Sequence, residues 1–371
     1  MKILFLILAS VVNLVSIGQS RKTRVSISGD DFYINGQITL KGKVYNGMRV
    51  EGLLPNSRMV QGIFDDYNEE TQKLWAYPDT KKWDANRNTN EFMAAMPAWK
   101  ESGLLAFTIN LQGGSPFGYS SAKQTWINSA FLRDGKLDPA YMKRLERILD
   151  KADQLGMIVI LGYFYFGQDQ NLKDEAAVID ATKNATKWIL ENGYENVLIE
   201  INNECDINSI RIGSGDPYNH AILDVERVHE LINIAKSISH RNKRLMVSTS
   251  FKGGSKPSHN VLQTADFVLI HGNGVKKPEK LTQLIQSVRA DSSYKRNPII
   301  VNEDDHFDFD KPENNFLAAT KEHASWGYFD YRMKDEGFSD GYQSIPVDWS
   351  IGSERKRQFF ALLRQVVSLN R

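Results

Sequence analysis

The chain of 371 residues carries one cysteine, Cys205. No disulfide can form within it, so its stability has to come from a packed core. It is also without a charge bias, with 46 Lys and Arg against 45 Asp and Glu; loss of a leader carrying Lys2 would bring the two into balance. A neutral chain has no electrostatic footprint for nucleic acid or for an anionic membrane. Past the first residues no apolar run approaches the roughly 18 residues of a membrane helix. Repeats and low-complexity tracts are absent, and Gly253-Gly254-Ser255 reads as a loop. What remains is one large domain, or a domain with a small appendage. Nothing in the sequence speaks to oligomeric state.

At the N-terminus, Lys2 precedes an apolar run that fades near Val15, and Ser16-Ile17-Gly18 supplies small residues ahead of Gln19. This is the three-part pattern of a secretory leader, too short in its apolar part to span a bilayer. Residues 1–18 are expected to be a cleaved signal peptide, placing the mature protein outside the cell or in a periplasm. No cysteine follows the run, which argues against a lipid anchor.

From about residue 90, short apolar runs alternate with helical patterns. Asp138 can cap a helix with Pro139 at its first position. Met142, Leu145, Ile148, Leu149, Ala152 and Leu155 make its apolar stripe, and Gly156 ends it. Strands are expected at 58–64, 104–110, 157–161, 198–201, 245–250, 267–271, 298–303 and 327–331, each followed by a helical segment. Continuous apolar strands separated by helices call for a parallel sheet covered on both faces. Eight such units suit a closed (β/α)8 barrel, whereas an open doubly wound sheet gives no reason for eight. Residues 58–371 are assigned to the barrel. Residues 19–57 are assigned to a small N-terminal β-hairpin extension packed on it.

In such a barrel the C-terminal strand ends face the active site. In order, they carry Asn110 and Gln112, Tyr163 and Tyr165, Asn203 and Glu204, Ser248 and Ser250, His271 and Asn273, Asn302 and Glu303, and Tyr328 and Asp330. The fourth strand is the sharpest case. Leu198 to Ile201 reads as core, yet it runs into Asn202-Asn203-Glu204, and a buried carboxylate is costly unless partners hold it. Glu204 and Glu303 end strands four and seven, which lie across the barrel mouth. Two facing carboxyl groups, one protonated and one ionised, are the minimum equipment for glycoside hydrolysis. That chemistry needs no cofactor, and the expected partner is a carbohydrate. Rings at Tyr163, Tyr165, Trp126, Trp326 and Trp349 could pack against sugar faces. The segments 64–70 and 77–92 are expected to form a long first loop over the cleft.

Asn203-Glu204 with Glu303, together with Phe32-Tyr33-Ile34-Asn35-Gly36 near the start, resembles the retaining (β/α)8-barrel glycoside hydrolases around family 5. The resemblance implies Glu204 as acid/base, Asn203 on the sugar 2-hydroxyl and Glu303 as nucleophile. His271 matches the histidine of that group's His-x-Tyr element, but Asn273 stands where the tyrosine would be. The nucleophile's usual hydrogen-bond donor is then unassigned, with Tyr328 or Arg58 as substitutes.

Other readings stand beside this one. Asp305 could replace Glu303 as nucleophile. The acidic run 302–310 around His306 could hold a metal, although its spacing matches no EF-hand and the reading favoured here has no metal. A carbohydrate-binding barrel without catalysis is a third. Glu200 reads as a structural ion-pair partner, and Cys205 as a buried apolar-like residue.

Overall fold

The structure is a computed structural model, which describes residues 21–119, 124–207 and 218–367; the expected signal peptide lies outside them. Eight strands form one parallel sheet: β1 (Asn56–Arg58), β2 (Ala106–Asn110), β3 (Ile158–Phe164), β4 (Val197–Asn202), β5 (Met246–Ser248), β6 (Val268–His271), β7 (Ile299–Asp304) and β8 (Ser325–Phe329). Their order is β5-β4-β3-β2-β1-β8-β7-β6, so the sheet curls into a barrel whose one unpaired seam, among the described residues, lies between β5 and β6.

The helices that cover it follow from local sequence. The helix Pro139–Leu155 starts where the Asp138 side chain accepts from the Tyr141 N–H and ends at Gly156 with φ 67°. Only glycine adopts that left-handed turn without cost. The helix Glu175–Glu191 is capped in the same way by Asp174, which accepts from Ala177.

Several expected boundaries move. The first strand is not 58–64 but Asn56–Arg58, because Val60–Ile63 winds into a 3-10 turn. The first helix of the barrel begins at Ala85, since Asp84 caps it, and so takes up part of the expected long loop. The helical segment expected after the fourth strand is the helix Val228–Ser237. The helical segment between β5 and β6 is short, His259–Thr264.

Two apolar clusters hold the molecule together. The larger lies between sheet and helices. The smaller fills the lower barrel with Leu54, Ala106, Ile158, Ile160, Leu198, Leu269 and Ile300, and is closed from below by Val25 and Phe32. Those two residues belong to the N-terminal antiparallel strands Val25–Ser28 and Asp31–Ile34, which stopper the barrel floor. Burying Phe32 completely is worth about 1.5–3 kcal/mol.

Above that apolar layer the interior turns polar. Asn56, Arg58, Thr108, Asn110, Glu200, His271 and Asn302 are all buried. Two glycines make room for the amides: a Cβ on Gly162 would come within 2.3 Å of Asn110 Oδ1, and one on Gly327 within 2.2 Å of Asn56 Oδ1.

Candidate active site

The polar layer rises into a cleft at the C-terminal end of the strands, lined by Arg58, Tyr119, Tyr165, Asn203, Glu204, Lys252, Asn273, Glu303 and Phe329 among others. Backbone irregularities aim its carboxylates. On β7 the register with β6 passes from Ile270–Val301 to His271–Glu303, a bulge of one residue. Simple alternation would send Asn302 and Glu303 to opposite faces. The bulge instead turns both inward: Asn302 Nδ2 donates to Glu200 at 3.4 Å, and Glu303 Oε2 meets Arg58 Nε at 2.7 Å. Just past β4, Glu204 has φ 51°, a left-handed backbone that costs a non-glycine residue about 1–3 kcal/mol and collects at functional sites. It is held by its own N–H, which donates to Ser250 Oγ at 3.0 Å, and by Cys205 N–H on Ser250 O at 3.0 Å.

Arg58 is the hub. Its Nη1 donates to Glu200 at 3.2 Å, its Nη2 to Asn203 Oδ1 at 2.6 Å, and its Nε faces Glu303. Glu303 Oε1 accepts from Asn273 Nδ2 at 3.0 Å. His271 Nδ1 lies 3.0 Å from Glu204 Oε1 and 3.6 Å from Glu303 Oε2. One carboxylate oxygen each of Glu204 and Glu303 and a ring nitrogen of His271 fall within 4.8 Å of one another, so the two carboxyl groups meet across the histidine.

One guanidinium cannot neutralise three buried carboxylates. The Glu303 carboxyl is pushed up to about 7, first by burial, with His271 and Arg58 drawing it down and Glu204 and Glu200 pushing it up. Burial pulls the Arg58 guanidinium down, but Glu200 and Glu303 outweigh it and leave it above its ordinary value. His271 is likewise depressed by burial yet raised overall by Glu303 and Glu204. The cluster therefore titrates as a unit, and it retains a proton near neutrality that belongs to the group as a whole.

The structure brings Asn203, Glu204, His271, Asn273, Glu303 and Tyr165 together. It does not do so for the rest. Tyr163 points to the helices, its hydroxyl 3.1 Å from Thr186. Trp326 stacks on Phe316 and donates to Asp304, and Tyr328 stacks on Phe359. All three alternate with inward neighbours, so a strand-end position put them on the wrong face. Asn110 sits inside the barrel against Gly162, below the cleft. Gln112 is buried in loop contacts to Ser129 and Gln168. Asp305 accepts from Gly274 N–H at 3.2 Å and lies 3.4 Å from His306, outside the residues that line the cleft. Of the other rings, Trp349 packs on Tyr342 and donates to Asn88, and Trp126 packs on Trp75.

Within the acidic run, Asp304 faces outward and accepts from Asn315 Nδ2 and Trp326 Nε1, both at 2.9 Å, with His306 Nδ1 2.6 Å away. Tyr119, Lys252 and Phe329 were not singled out from the sequence. Phe329 could have been found, since it shares strand parity with Gly327 and Ser325. Tyr119 and Lys252 sit on loops and leave no periodic signal.

No family model matches the chain, and none of the curated proteins does. Solved structures do resemble it. The endo-1,4-β-mannanase from Rhizomucor miehei matches 92% of this chain and 98% of its own, at 12% identity and TM-score 0.57. What the two share is the fold, a (β/α)8 barrel. Two proteins from Bacteroides vulgatus, the second a family 5 glycoside hydrolase, match 90% and 87% of this chain at 13% and 12% identity, with TM-scores of 0.53 and 0.50; the chain spans 59% and 66% of their lengths.

Proposed function

We propose that the protein is a glycoside hydrolase that cleaves an O-glycosidic bond of a poly- or oligosaccharide with retention. The observation that carries this is that Glu204 and Glu303, from opposite strands, face each other across one cleft, with one carboxylate oxygen of each within 4.8 Å. Retaining enzymes hold their carboxyl groups about 5–5.5 Å apart and inverting ones about 6.5–9.5 Å, to leave room for a water. The spacing supports direct attack on the sugar.

Glu303 is the nucleophile. It accepts from Arg58 Nε and Asn273 Nδ2, and donors of this kind favour the ionised carboxylate. Glu204 then carries the cluster's proton, gives it to the leaving oxygen, and takes a proton from water when the glycosyl-enzyme ester is hydrolysed. Asn203, fixed by Arg58, is placed to hold a hydroxyl beside the reacting carbon. Asn273 supplies the hydrogen bond that a tyrosine would give in family 5, so this departure from the family pattern does not favour a binding-only protein. A leader peptide would make the enzyme secreted or periplasmic. Among the described residues no helix is long and apolar enough to cross a membrane.

The test is a panel of polysaccharides and aryl glycosides, with the wild type beside Glu303→Gln. Turnover with retained anomeric configuration, lost in the variant, is expected. A wild type that binds but cleaves none of them, or a variant as active as the wild type, would refute it.

A further inference from the structure

Below the reacting pair lies a carboxylate that the proposed chemistry leaves idle. Glu200 is wholly buried on β4, in register with Gly162 on one side and Ser248 on the other. Its oxygens accept from Arg58 Nη1 at 3.2 Å and Asn302 Nδ2 at 3.4 Å, and its Oε1 lies 4.0 Å from His271 Nε2. It has no exposed surface and is not among the residues that line the cleft. Yet it shares one cation with Glu303, which does line it. A shared guanidinium neutralises each carboxylate only in part, whereas a dedicated one would hold Glu303 ionised far into acid.

Resting on the reading of Glu204 and Glu303 as the reacting pair, we propose that Glu200 is a positioning residue of the reaction. It holds the Arg58 fork on Asn203 and Glu303, and by taking up part of the Arg58 charge it keeps a proton on the catalytic cluster at neutral pH.

The groups that face Glu303 come from several elements: Arg58 from β1, Glu200 and Glu204 from β4 and its end, His271 and Asn273 from β6 and its end, and Tyr165 beyond β3. Tyr119, from the loop after β2, feels the same charge. Among these groups Arg58 and His271 can be cationic, and among the described residues Lys252 also lines the cleft. Removing the Glu200 charge takes away one repulsion on Glu303 and leaves Arg58 to act on Glu303 alone. Both changes favour the ionised form.

Glutamine fits the same place. Its oxygen can still accept from Arg58. Its amide nitrogen would meet Asn302, whose Oδ1 is buried without a partner, so a flip of the Asn302 amide satisfies both.

Carbon-13 NMR of protein labelled at the glutamate side-chain carboxyls, with Glu303 assigned through Glu303→Gln, reads the titration without substrate. Glu200→Gln should lower the Glu303 midpoint by about one pH unit. On an aryl glycoside that the wild type cleaves, the acid limb of kcat/KM should move down with it. Asn302→Ala removes the other hydrogen bond to Glu200 and keeps the charge, so the midpoint should stay where it is. Glu200→Met, neutral and without a hydrogen bond, should shift it in the same direction as glutamine. A midpoint unmoved by the neutral variants overturns the proposal; so does one that falls by about one pH unit in Asn302→Ala, which can be read even if the variants at 200 fail to fold. Since the midpoint needs no turnover, an inactive wild type would refute the glycosidase reading without deciding this one.

Discussion

Arg58→Met is the perturbation that most directly tests the hub. Methionine roughly fills the stem's volume but deletes a fully buried cation whose nitrogens serve Glu200, Asn203 and Glu303. Removing one partner of a buried pair costs about 3–5 kcal/mol, because the other charge is left uncompensated. Two carboxylates lose their cation here, but they share it, so the losses do not simply add. A total of about 4–6 kcal/mol at pH 7.5 follows. At roughly 2 °C per kcal/mol for a chain of this size, the melting temperature should fall by about 8–12 °C. The pH dependence has a definite sign. The Glu303 carboxyl is already raised to about 7 by burial, against the pull of His271 and Arg58. Without Arg58 it rises further, so the protonated form is the one the fold tolerates. A carboxyl whose folded pKa is raised contributes stability at low pH that is lost as pH climbs through that pKa. The gap between wild type and variant should therefore be widest above pH 7.5 and narrow towards pH 5.5. Scanning calorimetry across that range, with circular dichroism to verify the fold, measures it. A variant that melts within about 2 °C of wild type at pH 7.5, or a gap that widens on acidification, would refute the reasoning.

Glu204→Ala should spare aryl glycosides with good leaving groups far more than natural glycosides, since those need no proton on the departing oxygen. Azide should restore its turnover by attacking the intermediate, giving a glycosyl azide of retained configuration by NMR; parallel loss on both substrate types would reassign the acid. On the proposed roles, the acid limb of kcat/KM in the wild type should lie well above the ordinary carboxylate range, because burial raises the Glu303 carboxyl that has to be ionised to attack; an acid limb near pH 4.5 would contradict the buried cluster. Trp326→Phe should cost about 1–3 kcal/mol by leaving the buried Asp304 without one donor, while KM stays unchanged; a raised KM would return Trp326 to the cleft.

Much of this was legible in the sequence, for identifiable reasons. The eight apolar runs, the Asp138-Pro139 cap and the Gly156 stop are local signals, and they were enough for the barrel. The positions of Glu204 and Glu303 at the ends of β4 and β7 followed from counting runs, because topology alone places those strands across the mouth. Which way a side chain points at a strand end is another matter. Tyr163, Trp326 and Tyr328 sit at strand ends and face the helices, while Asn302 and Glu303 are adjacent and both face inward. Period-2 alternation explains the first group, but only the β7 bulge explains the second. The role of Asn273 was equally out of reach, since its bond to Glu303 spans 30 residues of chain. The composition and order of residues determined the layers, the strand count and the pair of acids. Tertiary structure decided that one arginine is divided among Glu200, Asn203 and Glu303, because that depends on distances between β1, β4 and β7 that no local pattern encodes.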